Sequence, residues 1–478
     1  MRATLRPMSV DGSGVAPERF PLRDRASEIA LEVDGFHHPV SARGRGRAFT
    51  RYADITHLAL SDRFVWIGTK RAATMLARRS LRDPDAAERM LRALMARIGQ
   101  QPGGAAQLAR MAEVEALARR PASLRVSWGL AALCVAGFLL DQLVGPSIYS
   151  VGHFSPILVA DGDFWRIVTA NLLHGFPLHL FINLLGLLIV GRMAERALGG
   201  ARTICVMGAA ALGAMATSGL LLDESVVGVS GVIFGLAGAV LWLEFSHGGE
   251  LPAWWRFPRP VLGLVILAFC ADVALGFFLP IIAGEAHLGG FVAGLLATAL
   301  LMRGTRLGAL ESLPSRALAA AVAVTTLLAV GAAAIELAGE GDYVVRHAAR
   351  LAELPGVAPE DLNNHAWFIA IDPDSTHEQL EAALLLAERA VTETAAAEAT
   401  MLDTLAEVQF QLGWPEQAIA TIDQAIAQEP DESYYREQRR RFTGERPADD
   451  RPPDPALRPE RSRERRQPLP PDDAGLRV

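Results

Sequence analysis

Between Val126 and Leu337 the sequence carries seven long apolar runs, near 126–144, 172–194, 201–222, 227–245, 260–280, 282–302 and 316–336. A helix needs about 20 residues to cross a hydrocarbon core about 30 Å thick, and most of these runs approach that length. They predict an all-α polytopic membrane protein. The amino terminus, MRATLRPMSV, is charged but has no apolar stretch behind it. No cleavable signal is therefore expected, and the residues before the first run are expected to stay in the cytosol, with insertion beginning at the span that contains Trp128.

The polar flanks read as separate units. A loose Arg/Pro-rich leader over 1–25 precedes 28–68, where EIALEVDGF and RFVWIGT alternate as strands do. DPDAAERMLRALMARI follows, with Asp83-Pro84 as a helix start signal and apolar residues at helical spacing. Strands closed by one helix faintly resemble a pleckstrin-homology-type module, and a generic small α+β domain has the same pattern. Residues 99–123, with GQQPGG and then a charged helix, read as a linker. Beyond the last run, 364–432 contains two helical-hairpin units about 35 residues apart, close to the tetratricopeptide period of about 34. Leu402, Leu405, Gly413, Ala418, Ile422, Ala425 and Pro430 occupy that repeat's packing offsets in the later unit, and Trp367, Ala383 and Ala390 in the earlier one. Two units are too few for a stable solenoid, so a degenerate third is expected near 343–360. The tail beyond Gly444 has few apolar residues among its charges and prolines and is expected to be disordered.

Cytosolic loops are enriched in lysine and arginine. Arg192, Arg196 and Arg202 flank one turn, Arg256 and Arg259 another, and Arg303, Arg306 and Arg316 a third, whereas Asp161, Asp163, Asp223, Glu224 and Glu285 lie near the opposite ends. The amino terminus is therefore expected inside, and a crossing seventh span would put the repeats outside the cell. The net charge of −7 averages over unlike segments and gives no reason to expect nucleic acid as a partner. Cys134, Cys205 and Cys270 all fall within apolar runs, where they act as small apolar residues and form no disulfide framework.

Polar residues at membrane depth are expensive, so each one needs a function or a buried partner. Here they form a pattern. The second run contains His174, His179 and Asn183, the fourth opens Gly228-Val229-Ser230-Gly231, and the sixth opens Ala286-His287-Leu288-Gly289-Gly290. Ser230 and His287 each fall a few residues into their runs, roughly 5–8 Å below the outer boundary at 1.5 Å per residue. Peptide hydrolysis needs a nucleophile, a base and oxyanion donors. Ser230 and His287 supply the first two, and no acidic third member is evident. His179 and Asn183, four apart, share one helix face and could both donate to an oxyanion, together with the Ser230 amide at a helix start. Taken singly, Gly228-Val229-Ser230-Gly231 reads as a small-residue packing face, His179 and Asn183 as interhelical hydrogen-bonding groups, and Gly290 with Gly294 as a packing motif. The histidines lack the carboxylates or cysteines of a metal-ligand cluster, so neither metal nor cofactor is expected.

This arrangement resembles the rhomboid family of intramembrane serine proteases over about residues 126–302. Trp165-Arg166 resembles the family's WR motif, followed at the family's spacing by His174, His179 and Asn183 in HGFPLHLFIN. Glu195, Arg196 and Gly199 fit its ExxxG signature, with GVSG and AHLGG on the fourth and sixth helices. The resemblance implies that Ser230 attacks, that His287 is base and then acid, and that His179, Asn183 and the Ser230 amide form the oxyanion hole. It further implies that Gly228 keeps the substrate path clear, and that His174, Trp165, Arg166 and Glu195 support the structure. Where the family often has tyrosine, this chain has Phe234, which keeps the stacking face and loses the hydroxyl.

The expected organisation is an α+β cytosolic region with linker over 1–123, a six-helix rhomboid-type core over 124–302, and a seventh helix with its loop over 303–337. Helical repeats over 338–442 and a tail over 443–478 complete it. The expected substrates are single-span membrane proteins whose helix unwinds easily, in contact with membrane lipid and with a further protein partner on the repeats. The expected setting is a bacterial plasma membrane. The competing reading is an inert relative that binds membrane-protein clients. Such relatives typically lack the serine or the histidine, and both are present here. A transporter would need an inverted repeat or a pair of broken helices, and neither is evident.

Overall fold

The computed structural model describes residues 18–23, 28–39, 47–83, 85–120, 124–145, 147–221, 226–257, 259–276 and 283–452. Residues 1–17 of the leader, Pro84 of the helix start signal and the tail beyond 452 lie outside the described residues. The chain forms two compact units, Met1–Ala334 and Ile335–Val478.

The first unit opens with two antiparallel sheets. One runs β1 (Arg19–Pro21), β2 (Glu28–Leu31), β3 (Gly35–Pro39), β4 (Arg47–Arg51), and the other β5 (Ile55–Leu60), β6 (Phe64–Thr69), β7 (Ala73–Ala77). Alternation buries Ile29 and Leu31 from β2 and Val65 and Ile67 from β6 in one core. Helix α1 (Ala86–Gln100) closes that core with Met90, Leu94 and Ile98, spaced four apart on one face and each fully buried. Burial of each such side chain stabilises by about 1.5–3 kcal/mol.

The segment expected to be a linker is instead a wall of this domain. In α2 (Gly104–Arg119), Gln107 donates to the carbonyls of Tyr52 at 2.6 Å and Ile55 at 2.7 Å. Met111 joins the core, and Glu115 meets His57 at 3.0 Å. The polar side chains that suggested a solvated linker satisfy backbone carbonyls and a buried histidine.

Apolar helices follow: α3 (Arg125–Val144), the short α4 (Ser147–Gly152), α5 (Pro156–Ala160) and α6 (Arg166–Thr169), then α7 (Pro177–Leu198), α8 (Gly200–Leu221), α9 (Ser230–Ser246), α10 (Arg259–Gly276), α11 (Gly284–Leu301) and α12 (Leu313–Leu337). Among the described residues five of these, α3, α7, α8, α11 and α12, are long and apolar enough to cross a membrane, and α9 and Val261–Gly276 of α10 are shorter apolar helices. Leu212, Leu264, Leu267, Leu300 and Leu327 stand exposed around the bundle, as a hydrocarbon solvent permits. The second run was expected over 172–194, yet its helix spans Pro177–Leu198. Pro177 at the first helical position pre-sets the backbone there, and Leu172 and Leu173 are buried in the preceding loop.

Glycine sets the closest packing. A Cβ on Gly290 would lie 2.1 Å from the Gly231 carbonyl oxygen, one on Gly294 2.2 Å from that of Gly235, and one on Gly238 2.4 Å from that of Phe291. Helices α9 and α11 therefore meet backbone to backbone, which brings their first turns together.

Polar connections gather at one end of the bundle. Arg120 donates to the Gly308 carbonyl at 2.6 Å, Glu311 accepts from the amides of Ala201 and Arg202 at 2.6 and 3.2 Å, and Glu250 accepts from that of Leu307 at 2.9 Å. The N-terminal domain sits at this end, where Ala253 N–H donates to His57 Nδ1 at 3.1 Å. The first turns of α7, α9 and α11 and the last turn of α10 consequently share the opposite end.

The second unit consists of α13 (Tyr343–Glu353), α14 (Pro359–Ile371), α15 (His377–Glu393), α16 (Ala399–Gln411), α17 (Pro415–Gln428) and α18 (Ser433–Phe442). Helices α14 with α15 and α16 with α17 pack as pairs, and α13 precedes them. Ala383, Ala390, Leu402, Ala418, Ile422 and Ala425 are buried where the helices approach. Tyr434, Tyr435 and Phe442 of α18 complete that core, and Arg441 makes a fully buried ion pair with Glu407. Within the described residues after 443, Arg451 donates to Glu407 at 2.8 Å and lies over the Trp367 ring.

Candidate active site

The site is positioned by the connection between α3 and α7. Arg166, fully buried, donates to Asp163 Oδ2 at 2.8 Å and to the carbonyls of Ser150 and His153 at 2.7 and 3.1 Å. Trp165 Nε1 donates to Val151 O at 3.0 Å, and Thr169 Oγ1 to Gly152 O at 2.8 Å. These bonds hold α4 and the residues after it. Phe154 then pairs its amide and carbonyl with those of Val226 at 3.0 and 3.1 Å, and Gly228 N–H donates to Ala170 O at 2.9 Å. The chain leading to Ser230 is thus tied to the same loop. At the opposite end of α7, Glu195 accepts from the amides of Val126 and Ser127 and from Ser127 Oγ at 2.8 to 3.1 Å, capping the start of α3.

Ser230 is the first residue of α9, at the helix start expected for its amide. Its amide is consequently among the helix-start donors that have no intrahelical acceptor. His287 is in the first turn of α11. Its Nε2 lies 2.9 Å from Ser230 Oγ, and its Nδ1 lies 2.6 Å from Asp272 Oδ2 on α10. An ionised carboxylate only accepts, so Nδ1 carries the proton and Nε2 is left to accept from the serine hydroxyl. The Phe234 ring, one turn beyond Ser230, stacks on the imidazole at 4.3 Å between centroids and 26° between planes. Phe269 of α10 packs on Phe234 at 5.5 Å and on Phe291 at 4.3 Å.

The remaining residues surround this array. Gly228 has φ of +120°, and a Cβ there would fall 2.9 Å from the His179 ring and 3.7 Å from Asn183 Nδ2. Only glycine suits both constraints. The His179 ring meets His174 edge-on at 5.0 Å and Phe176 at 5.4 Å. His174 and Asn183 are buried. Among the described residues no group of three or more His, Cys, Asp or Glu side chains could hold a metal ion.

Asp272 overturns the expectation that no acid accompanies the pair. It lies in LAFCADVALG, an apolar run with no serine or histidine to draw attention to it. The available signal was the carboxylate itself, because an ionisable residue in a span needs a partner. Chemically the arrangement joins a hydroxyl at a helix start, an imidazole that can accept its proton, and a carboxylate that fixes the ring's tautomer.

Residues 161–304 match the family model described as "Rhomboid domain". The chain is 35% identical over 170 residues to RHOMBOID-like protein 4 of Arabidopsis thaliana, covering 34% of this chain and 42% of that one. It is 30% identical over 175 residues to Rhomboid protease GluP of Bacillus subtilis, covering 36% and 33%. Against Rhomboid protease GlpG of Haemophilus influenzae it is 28% identical over 174 residues, covering 35% and 85%. The matched segment thus spans less than half of the Arabidopsis relative and a third of GluP. Residues 161–304 of this chain thus match a rhomboid domain and are similar to the corresponding part of these relatives.

Proposed function

We propose that this chain is an intramembrane serine endopeptidase that cuts peptide bonds in or near the transmembrane segments of membrane proteins. The observation that carries the reading is the 2.9 Å approach of Ser230 Oγ to His287 Nε2, on two helices joined backbone to backbone. Ser230 Oγ attacks the scissile carbonyl carbon while its proton passes to His287 Nε2. Asp272 accepts from Nδ1–H, holding the tautomer and balancing the imidazolium charge, so it is a positioning residue beside the Ser–His pair. The oxyanion is held by the Ser230 amide with His179 and Asn183, whose neighbour Gly228 leaves the approach open. When the C–N bond breaks, His287 returns the proton to the leaving amine. Water then attacks the acyl ester with His287 again as base, freeing Ser230.

The polar end containing Ser230 faces the cell exterior in this reading, because arginine marks the other end. The N-terminal domain is then cytosolic, and a crossing α12 puts the helical hairpins outside as a tetratricopeptide-like surface for a protein partner. The proposed domains are those expected from the sequence, with α2 assigned to the N-terminal domain.

The test is cleavage of single-span reporter proteins with Gly- or Pro-weakened helices in proteoliposomes. Parent protein cuts at least one of them, and Ser230→Ala and His287→Ala do not. Reporter capture without cleavage by folded parent protein would favour a client-binding scaffold instead.

A further inference from the structure

At the end of the bundle that carries the N-terminal domain lies a second site, remote from Ser230. A cleft of about 200 Å³ opens between the last turns of α7 and α9 and the α9–α10 connection, with Arg192, Arg196, Glu244, Leu251, Trp254 and Trp255 among its lining residues. Glu244 is neutralised there, because Arg256 donates to its Oε1 through Nε and Nη2 at 2.9 and 2.7 Å. Arg192 and Arg196, four residues apart on one face of α7, make no hydrogen bond or ion pair among the described residues. Trp255 Nε1 is buried without a hydrogen-bond partner. Two guanidiniums without an acceptor and a buried indole N–H without one therefore line the same cleft. Unpaired guanidiniums lining one cleft are suited to an anionic ligand.

The wall opposite α7 is preformed. Ala253 N–H donates to His57 of β5, Trp254 packs on the His57 ring at 5.3 Å, and Arg256 donates to the Thr69 carbonyl of β6. The N-terminal domain thus holds Trp254 and the backbone on either side of the two tryptophans. Beyond the arginines, α7 continues with exposed Leu185 and Ile189 on the same helical row as lining residue Met193, and Phe245 is exposed beside Glu244. An apolar track thus leaves the cleft along the outside of the bundle.

We propose that this cleft binds the phosphodiester headgroup of an anionic phospholipid, with its acyl chains along the Leu185–Ile189 row. A soluble phosphate would use the same donors but not the track. The proposal is independent of the protease reading, since it concerns binding at the other end of the bundle. Native mass spectrometry of the full chain in detergent measures it, comparing phosphatidylglycerol with phosphatidylcholine. Parent protein retains phosphatidylglycerol preferentially. Arg192→Gln with Arg196→Gln weakens that lipid by about fivefold per charge, roughly 25-fold in all, and leaves phosphatidylcholine unchanged. Arg192→Lys with Arg196→Lys keeps most of the preference. Trp255→Phe, which keeps an aromatic wall and deletes the donor, weakens phosphatidylglycerol without touching either charge. Equal retention of both lipids by parent protein, or undiminished phosphatidylglycerol in the double Gln variant, overturns the proposal. Displacement of the lipid by millimolar inorganic phosphate would assign the site to a soluble anion and overturn the lipid assignment.

Discussion

Gly290→Ala tests whether close approach of α9 and α11 builds the site. The added Cβ would meet the Gly231 carbonyl at 2.1 Å, whereas ordinary contact begins near 3.4 Å, so the helices must separate by roughly 1 Å. Ser230 and His287 are on the first turns of these helices, and their 2.9 Å hydrogen bond does not survive such a shift. A displacement of that size costs about 100-fold in rate, and overpacking costs about 1–3 kcal/mol of stability. The assay is the rate at which a fluorophosphonate labels the detergent-solubilised protein, read beside its melting temperature. Gly263→Ala is the control: Gly263 lies on α10 with nothing within 4 Å of its added Cβ, so labelling and melting should match the parent's. If Gly290→Ala labels at the parent's rate, the backbone contact does not set the Ser–His geometry and the argument fails.

Asp272→Asn keeps the shape of the histidine's partner and removes its charge. Cleavage kcat should fall roughly 10- to 100-fold, less than in a fully buried triad because the Asp272 side chain is 27% exposed. KM should stay unchanged, and a shift in KM alone would place Asp272 in substrate binding. Phe234→Ala should slow labelling, whereas Phe234→Tyr should not, because the stacking face holds the imidazole; equal slowing in both would remove that role. Glu195→Ala strips three hydrogen bonds from the start of α3 and should lower stability by about 1–3 kcal/mol on thermal melting, while protein that remains folded still labels. In the N-terminal domain, burial works to raise the Glu115 carboxyl, but its bonds to His57 and Arg119 outweigh that and hold it below its usual 4.5. A depressed carboxyl stabilises the fold above its unfolded pKa and loses that contribution as pH falls. The stability advantage of parent over Glu115→Gln should therefore be present at pH 7 and disappear on acidification below about 4.5; an advantage that grows with acid would contradict the sign.

The bundle was readable because hydropathy reports transfer into lipid directly, and the apolar runs fall on α3 and α7 through α12. Hydropathy does not distinguish a spanning residue from one buried in a loop, so Leu172 and Leu173 were counted into a helix that begins at Pro177. Ser230, His287, His179 and Asn183 stood out because polar residues in apolar runs are conspicuous and recurred at one depth. Asp272 met the same criterion and was passed over, since its partner is 15 positions away on the next helix and no local spacing connects them. The packing of α2 against the N-terminal domain was missed for the opposite reason. Its Gln107 and Glu115 are polar because they bind strand carbonyls and His57, a long-range use that local composition presents as a solvated linker.

The most direct test of the central claim is to treat detergent-solubilised protein with a fluorophosphonate and map the adduct by mass spectrometry, in the parent and in His287→Ala. A serine activated by His287 predicts one adduct on Ser230 in the parent and its loss in the variant. Folded parent protein that carries no adduct, or an adduct on Ser230 that persists without His287, would contradict it.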